Sequence, residues 1–162
     1  MIRALLLFCV VLLSACTSHA PLPAQIPHIK FPKQLHVLRE QAGQRQDWLL
    51  VIQKERHGLR FSLMDPLGIP VARQQLEEET WKADGLLPPN REARELFAAV
   101  LFALTSNEEA RFDYPGVVLL PHGRTLEERW RVDYASEGVF RLTLESGELK
   151  YVVSPLEGKA SK

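Results

Sequence analysis

Cysteine is almost missing from this 162-residue chain: Cys9 and Cys16 are the only two, and both lie near its start. No disulfide framework can therefore be built in the body of the protein. The usual signatures of chemistry are missing too. There is no G-x-S-x-G, no phosphate-cradling glycine loop, no H-E-x-x-H and no C-x-x-C. His28, His36, His57 and His122 lie far apart without metal-ligand spacing, so each reads as a surface or turn residue. Glu77-Glu78-Glu79 and Glu127-Glu128 put carboxylates side by side, but consecutive strand residues point to opposite faces and such runs are solvated edges. The expectation is a protein that is not an enzyme and uses no cofactor or metal. An excess of either charge is also lacking, since 20 Lys and Arg balance 20 Asp and Glu. That balance leaves no electrostatic claim on nucleic acid. Internal repeats and low-complexity tracts are absent.

What is present begins at the N-terminus. Arg3 is a short positive region, and Ala4–Leu13 is an unbroken apolar run too short to cross a bilayer comfortably. This is the pattern of an export signal. It closes on Leu13-Ser14-Ala15-Cys16, which resembles the bacterial lipobox. That resemblance implies a signal peptide over residues 1–15, cleavage before Cys16, and a covalent acyl lipid such as palmitate on Cys16. It also implies that Cys16 is the only cysteine of the mature chain. Thr17 and Ser18 follow, with no aspartate to retain the protein in the inner membrane. The expected location is the outer membrane, lipid-anchored and facing the periplasm.

Residues 16–33 contain Pro21, Pro23, Pro27 and Pro32 with little periodicity and read as an extended lipidated tether. Residues 34–156 form one domain of ordinary size, and residues 157–162 a polar tail. Strand patterns dominate the domain: Gln34–Gln41, Trp48–Ile52, Leu59–Leu63, Ile69–Leu76, Thr80–Ala83, Trp130–Tyr134, Phe140–Leu144 and Leu149–Val153. Short turns between them predict an antiparallel meander. Trp48–Ile52 is apolar on both faces, so its inward face is left open. Pro88-Pro89-Asn90 introduces a helix over Arg91–Thr105, with Asn90 as N-cap and Glu92 in the first turn. Ala93, Leu96, Phe97, Val100, Leu101 and Leu104 make one stripe, while Ala98, Ala99, Phe102 and Ala103 make the second half apolar all round. Such a helix is buried on both sides, by Val117–Leu120, by the tether or by a ligand.

One turn carries an anomaly. Asp65-Pro66 and Gly68 are turn residues, yet Leu67 occupies the tip, where a loop should meet water. The stretch Leu63-Met64-Asp65-Pro66-Leu67-Gly68 resembles a segment of LolB ending in Asn-Pro-Leu-Gly between its third and fourth strands. With the element order and the exported start, it makes the mature chain similar to the LolB/LolA family of lipoprotein carriers. The Asp65–Gly68 turn, the compact length and the ending Val152-Val153-Ser154-Pro155-Leu156 are similar, more narrowly, to LolB-like lipoproteins that accompany aryl polyene lipid biosynthesis. The resemblance implies an α+β fold in which an incomplete antiparallel β-barrel wraps one main apolar helix. It also implies that Leu67 contacts the membrane; the alternative for that residue is that it folds back onto Ile69 or a neighbouring strand end and covers the barrel rim. The chain departs from LolB in having the proline-rich tether where LolB has a longer helical segment, which bears on the cavity wall.

The resulting expectation is an outer-membrane lipoprotein that binds an acyl or polyene chain and hands it passively to membrane lipid, after receiving it free or from an upstream periplasmic carrier. Its cavity would be lined by Phe61, Leu63, Leu96, Phe97, Val100, Phe102, Trp130, Val132, Phe140 and Leu142, with Trp48, Leu50 and Ile52 as weaker members. The alternative is an envelope scaffold or assembly lipoprotein that binds a protein partner, its interior filled by its own side chains. An enzyme acting on envelope lipid or glycan ranks last.

Overall fold

A computed structural model describes residues 19–136, 138–144 and 147–156. The proposed signal peptide, Cys16, Thr17, Ser18 and the polar tail lie outside the described residues. Ten antiparallel strands form one sheet: β1 (Lys33–Gln41), β2 (Gln44–Glu55), β3 (Gly58–Met64), β4 (Pro70–Glu77), β5 (Thr80–Ala83), β6 (Val117–Leu120), β7 (Gly123–Leu126), β8 (Trp130–Ser136), β9 (Val139–Leu144) and β10 (Leu149–Pro155). Two helices, α1 (Arg91–Leu104) and α2 (Asn107–Asp113), interrupt the strands. The spatial order is β5-β4-β3-β2-β1-β10-β9-β8-β7-β6, so β5 and β6 are free edges and the sheet is not closed.

The strand order follows from sequence neighbours pairing through short turns. The exception is β1 with β10, where Val37 lies opposite Val153. That junction joins two meanders, β1–β5 and β6–β10, into one sheet. Alternation then decides the faces. Leu35 and Val37, Leu50 and Ile52, Phe61 and Leu63, Phe140 and Leu142, and Tyr151 and Val153 are all buried in one core. In β2 this settles the inward face as Leu50 and Ile52, leaving Leu49 and Val51 half-buried on the other side. Gly58 permits a close crossing: a Cβ there would lie 1.9 Å from the Leu76 carbonyl oxygen.

Helix α1 starts where capping chemistry places it, with Ala93 N–H donating to Asn90 Oδ1 at 3.0 Å. Its second half is buried on every face, including Ala98, Ala99, Phe102 and Ala103. Phe97 stacks on Phe61 of β3 at 4.9 Å, while Phe102 meets Trp130 of β8 at 5.6 Å. The one helix thus packs against strands of both meanders, β3 on one side of the β1–β10 junction and β8 on the other.

Helix α2 and strands β6 and β7 were not expected as elements. Their brevity explains this, since a helix of two turns and four-residue strands carry too few periods to read. α2 is nonetheless well capped. Ser106 and Glu109 form a capping box, with Glu109 N–H donating to Ser106 Oγ at 3.2 Å.

Residues 19–32 adopt neither helix nor strand. The segment is laid along the domain: Pro23 and Pro27 are buried, and Ala20, Leu22, Ile29 and Phe31 pack against the core. His28 ties it to α2, donating its backbone N–H to Glu109 Oε1 at 3.0 Å while its ring Nδ1 lies 2.6 Å from the same oxygen.

Candidate functional site

The turn between β3 and β4 is built to hold its tip outward. Gly68 N–H donates to the Asp65 carbonyl at 3.0 Å, closing a β-turn, and Gly68 takes a φ of 80° that suits glycine. Asp65 Oδ1 accepts from both Leu67 N–H and Ile69 N–H, each at 2.9 Å. These bonds engage the Leu67, Gly68 and Ile69 N–H groups and leave Leu67 83% exposed and Ile69 58% exposed. Leu67 therefore does not fold back onto the rim. Leu86 joins them at this end. Strand β5 runs from Thr80 opposite Glu77 to Ala83 opposite Gln74, so the following loop leaves toward the 65–69 turn. Leu86 stands fully exposed on that loop, whose base is held by Asp84 bonded to Arg60 and Arg73.

The expected cavity residues come together, but as packed side chains. Phe61, Leu63, Leu96, Phe97, Val100, Phe102, Trp130, Val132, Phe140 and Leu142 are all buried in a single cluster. Leu50 and Ile52 share it, and Trp48 is half-buried at its margin beneath the Arg39 guanidinium. Aromatic contacts knit the cluster: Phe61 to Phe97, Phe102 to Tyr114 at 4.9 Å, and Tyr134 to Phe140 at 6.2 Å. A small concavity of about 90 Å³ opens at the opposite end from Leu67, between the 23–27 segment and Leu59, Leu76 and Leu101. None of the ten expected residues lines it.

Polar groups around α1 orient these hydrophobic residues. Glu92 accepts from Arg39 Nε at 2.6 Å and Nη2 at 3.1 Å, and from the Tyr151 hydroxyl at 2.9 Å. Burial pushes the Glu92 carboxyl up, but these bonds outweigh it and hold it below its ordinary value. Burial first, and then Glu92, push Tyr151 far above the ordinary phenol range. One turn on, Glu95 takes both Nε and Nη2 of Arg129 at 2.7 Å each, and the Trp130 indole N–H at 2.7 Å. The orientation of Trp130 is thus set by a carboxylate on the helix. Sequence reasoning missed Glu95, Tyr114, Arg124 and Tyr151. Arg124 sits on the unrecognised strand β7, and alternation beneath it was the only available signal.

Among the described residues, no cluster of acidic, histidine or cysteine side chains could hold a metal ion, and no helix is long and apolar enough to cross a membrane. Compared with known proteins, the chain matches no family model and no curated protein sequence.

Proposed function

We propose that this protein is a lipid-anchored outer-membrane carrier that binds a hydrophobic acyl or polyene chain and releases it passively into the membrane. The observation that carries the reading is Leu67, held 83% exposed by the two Asp65 bonds at one end of an open antiparallel sheet whose two meanders both pack on an apolar helix. That arrangement supports a likeness to an incomplete LolB-like barrel with a membrane-contacting leucine.

Magnitudes separate two jobs. Burying one leucine contributes ~1.5–3 kcal/mol, whereas each acyl CH₂ contributes ~0.8 kcal/mol. An acyl lipid on Cys16 does the anchoring, and Leu67 with Ile69 and Leu86 orients the rim where the chain leaves. Transfer without a nucleotide site runs down a difference in affinity between carrier and membrane.

The dense core favours a second reading. Ten interior side chains that touch one another are what a scaffold lipoprotein with a self-filled interior needs, its function lying in a protein partner. Native mass spectrometry of protein purified from the outer membrane, with lipid extraction, separates the two. A carrier retains a stoichiometric apolar ligand. A bare chain with a co-purifying protein supports the scaffold and overturns the carrier.

A further inference from the structure

Arg124 is a buried cation without a counter-ion. It lies on β7 and is 4% exposed. Its Nη2 donates to the carbonyl of Thr105, the C-cap of α1, at 2.7 Å. Its Nε and Nη1 are buried with no hydrogen-bond partner, and no carboxylate among the described residues pairs with it. The rings of Phe102 and Tyr134 flank the guanidinium, each 5.4 Å from Cζ. A further unpaired donor lies close by. Tyr114 is 1% exposed, its hydroxyl lies beside the Thr105 side chain without a well-formed hydrogen bond, and its ring packs edge-on against the same Phe102 at 4.9 Å. The Tyr134 hydroxyl, by contrast, is satisfied by the Ala103 carbonyl at 2.7 Å.

Capping α1 does not account for this. A cation at a helix C-terminus is favourable, but the Thr105 carbonyl and a bond to the Tyr134 side chain still leave Nε and Nη1 of the five-donor guanidinium unmet. The Phe102 face attracts the charge without accepting those in-plane N–H groups. Buried charges persist in proteins when they are paired and their donors met. Here the unmet donors of Arg124 and Tyr114 gather around one ring, next to the apolar interior.

We propose that the hydrophobic ligand is a long-chain carboxylate whose head group is bound by Arg124 and Tyr114. This rests on the carrier reading above. One guanidinium balances one negative charge, which matches a carboxylate and leaves a phosphate dianion in excess. The phenol supplies a neutral donor to the second oxygen. The chain then lies along Phe102, Trp130 and Phe140, displacing side chains that close on one another in its absence.

The test offers the full-length protein equimolar palmitic acid and methyl palmitate, and counts the bound species by native mass spectrometry. The expected result is a preference for the acid of about tenfold or more, because a site with buried donors rejects a ligand that cannot meet them. Arg124→Gln should bring the acid down to the level of the ester. Tyr114→Phe removes only an unpaired hydroxyl, so it should fold normally and lose several-fold of the preference. Equal binding of acid and ester by the wild type overturns the proposal and leaves the carrier reading standing. Binding of neither overturns both. If Arg124→Gln does not fold, Tyr114→Phe decides: an unaltered preference for the acid overturns the head-group site, and a reduced one supports it.

Discussion

Asp65 and Leu67 are coupled through a single oxygen: Asp65 Oδ1 accepts the Leu67 N–H at 2.9 Å, and the same oxygen takes Ile69 N–H at 2.9 Å. The carboxylate thereby makes the turn rigid without using the leucine side chain. Shape and side chain can be altered independently at this tip.

Leu67→Glu should leave the fold almost unchanged. The side chain is 83% exposed and contributes little burial, so the stability change should stay within about 0.5 kcal/mol. A carboxylate enters lipid only at high cost, so release of a bound chain into liposomes should fall strongly while uptake stays normal. Thermal melting and a liposome transfer assay check the two halves. A large melting loss would show a packing role that the exposed position does not predict.

Phe102→Ala should be severe. Phe102 is fully buried and touches Tyr114, Trp130 and Arg124. Truncating such a ring costs about 3–5 kcal/mol, a large part of the about 5–15 kcal/mol that holds a domain together. Equilibrium urea denaturation measures it. A loss below about 1 kcal/mol would mean that the helix is not packed there.

The link between the N-terminal segment and α2 should be lost in acid. The His28 backbone N–H, then its ring, and then Ser106 hold Glu109 down at about 2. A depressed carboxyl contributes stability above its unfolded value, about 4.3, and loses it as pH falls through the folded value. Wild type should therefore lose this contribution between about pH 4.5 and pH 2, while Glu109→Gln lacks it throughout. The melting difference between the two should shrink across that window. A difference that stays constant from pH 5 to pH 2 would remove Glu109 as its source.

Cys16→Ala should abolish acylation. Intact-mass measurement or fatty-acid labelling reads this directly, and fractionation should find the variant released from the outer membrane or left uncleaved. Unchanged acylation would end the lipoprotein reading and with it the anchor on which the role of Leu67 depends.

Local rules made much of the chain readable. Asn90 before an apolar stripe specifies where α1 begins, because a side-chain oxygen must meet an orphan N–H. Asp65-Pro66-Leu67-Gly68 specifies a turn, because proline, aspartate and glycine each remove conformational choices, while the outward direction of Leu67 is visible only in the fold. Alternation at Phe61 and Leu63, and at Phe140 and Leu142, predicts inward faces that burial confirms. These signals act over a few residues and survive without knowledge of neighbours.

What lay beyond the sequence depended on partners distant along the chain. β1 joins β10 through Val37 and Val153, a choice made by which edges meet once both meanders have formed. Whether Trp48 or Leu49 faces the core could not be decided while both faces of β2 were apolar; the pairing of Leu50 with Leu63 and Leu35 decided it. The guanidinium of Arg124 became a buried, unpaired cation only when β7 brought it under the end of α1. The amino-acid order by itself determined the turns, the helix and its cap, because those obey short-range sterics and hydrogen bonding. The closeness of Arg124, Tyr114 and Phe102 was decided by tertiary packing alone, because burial and the loss of water are properties of the assembled core.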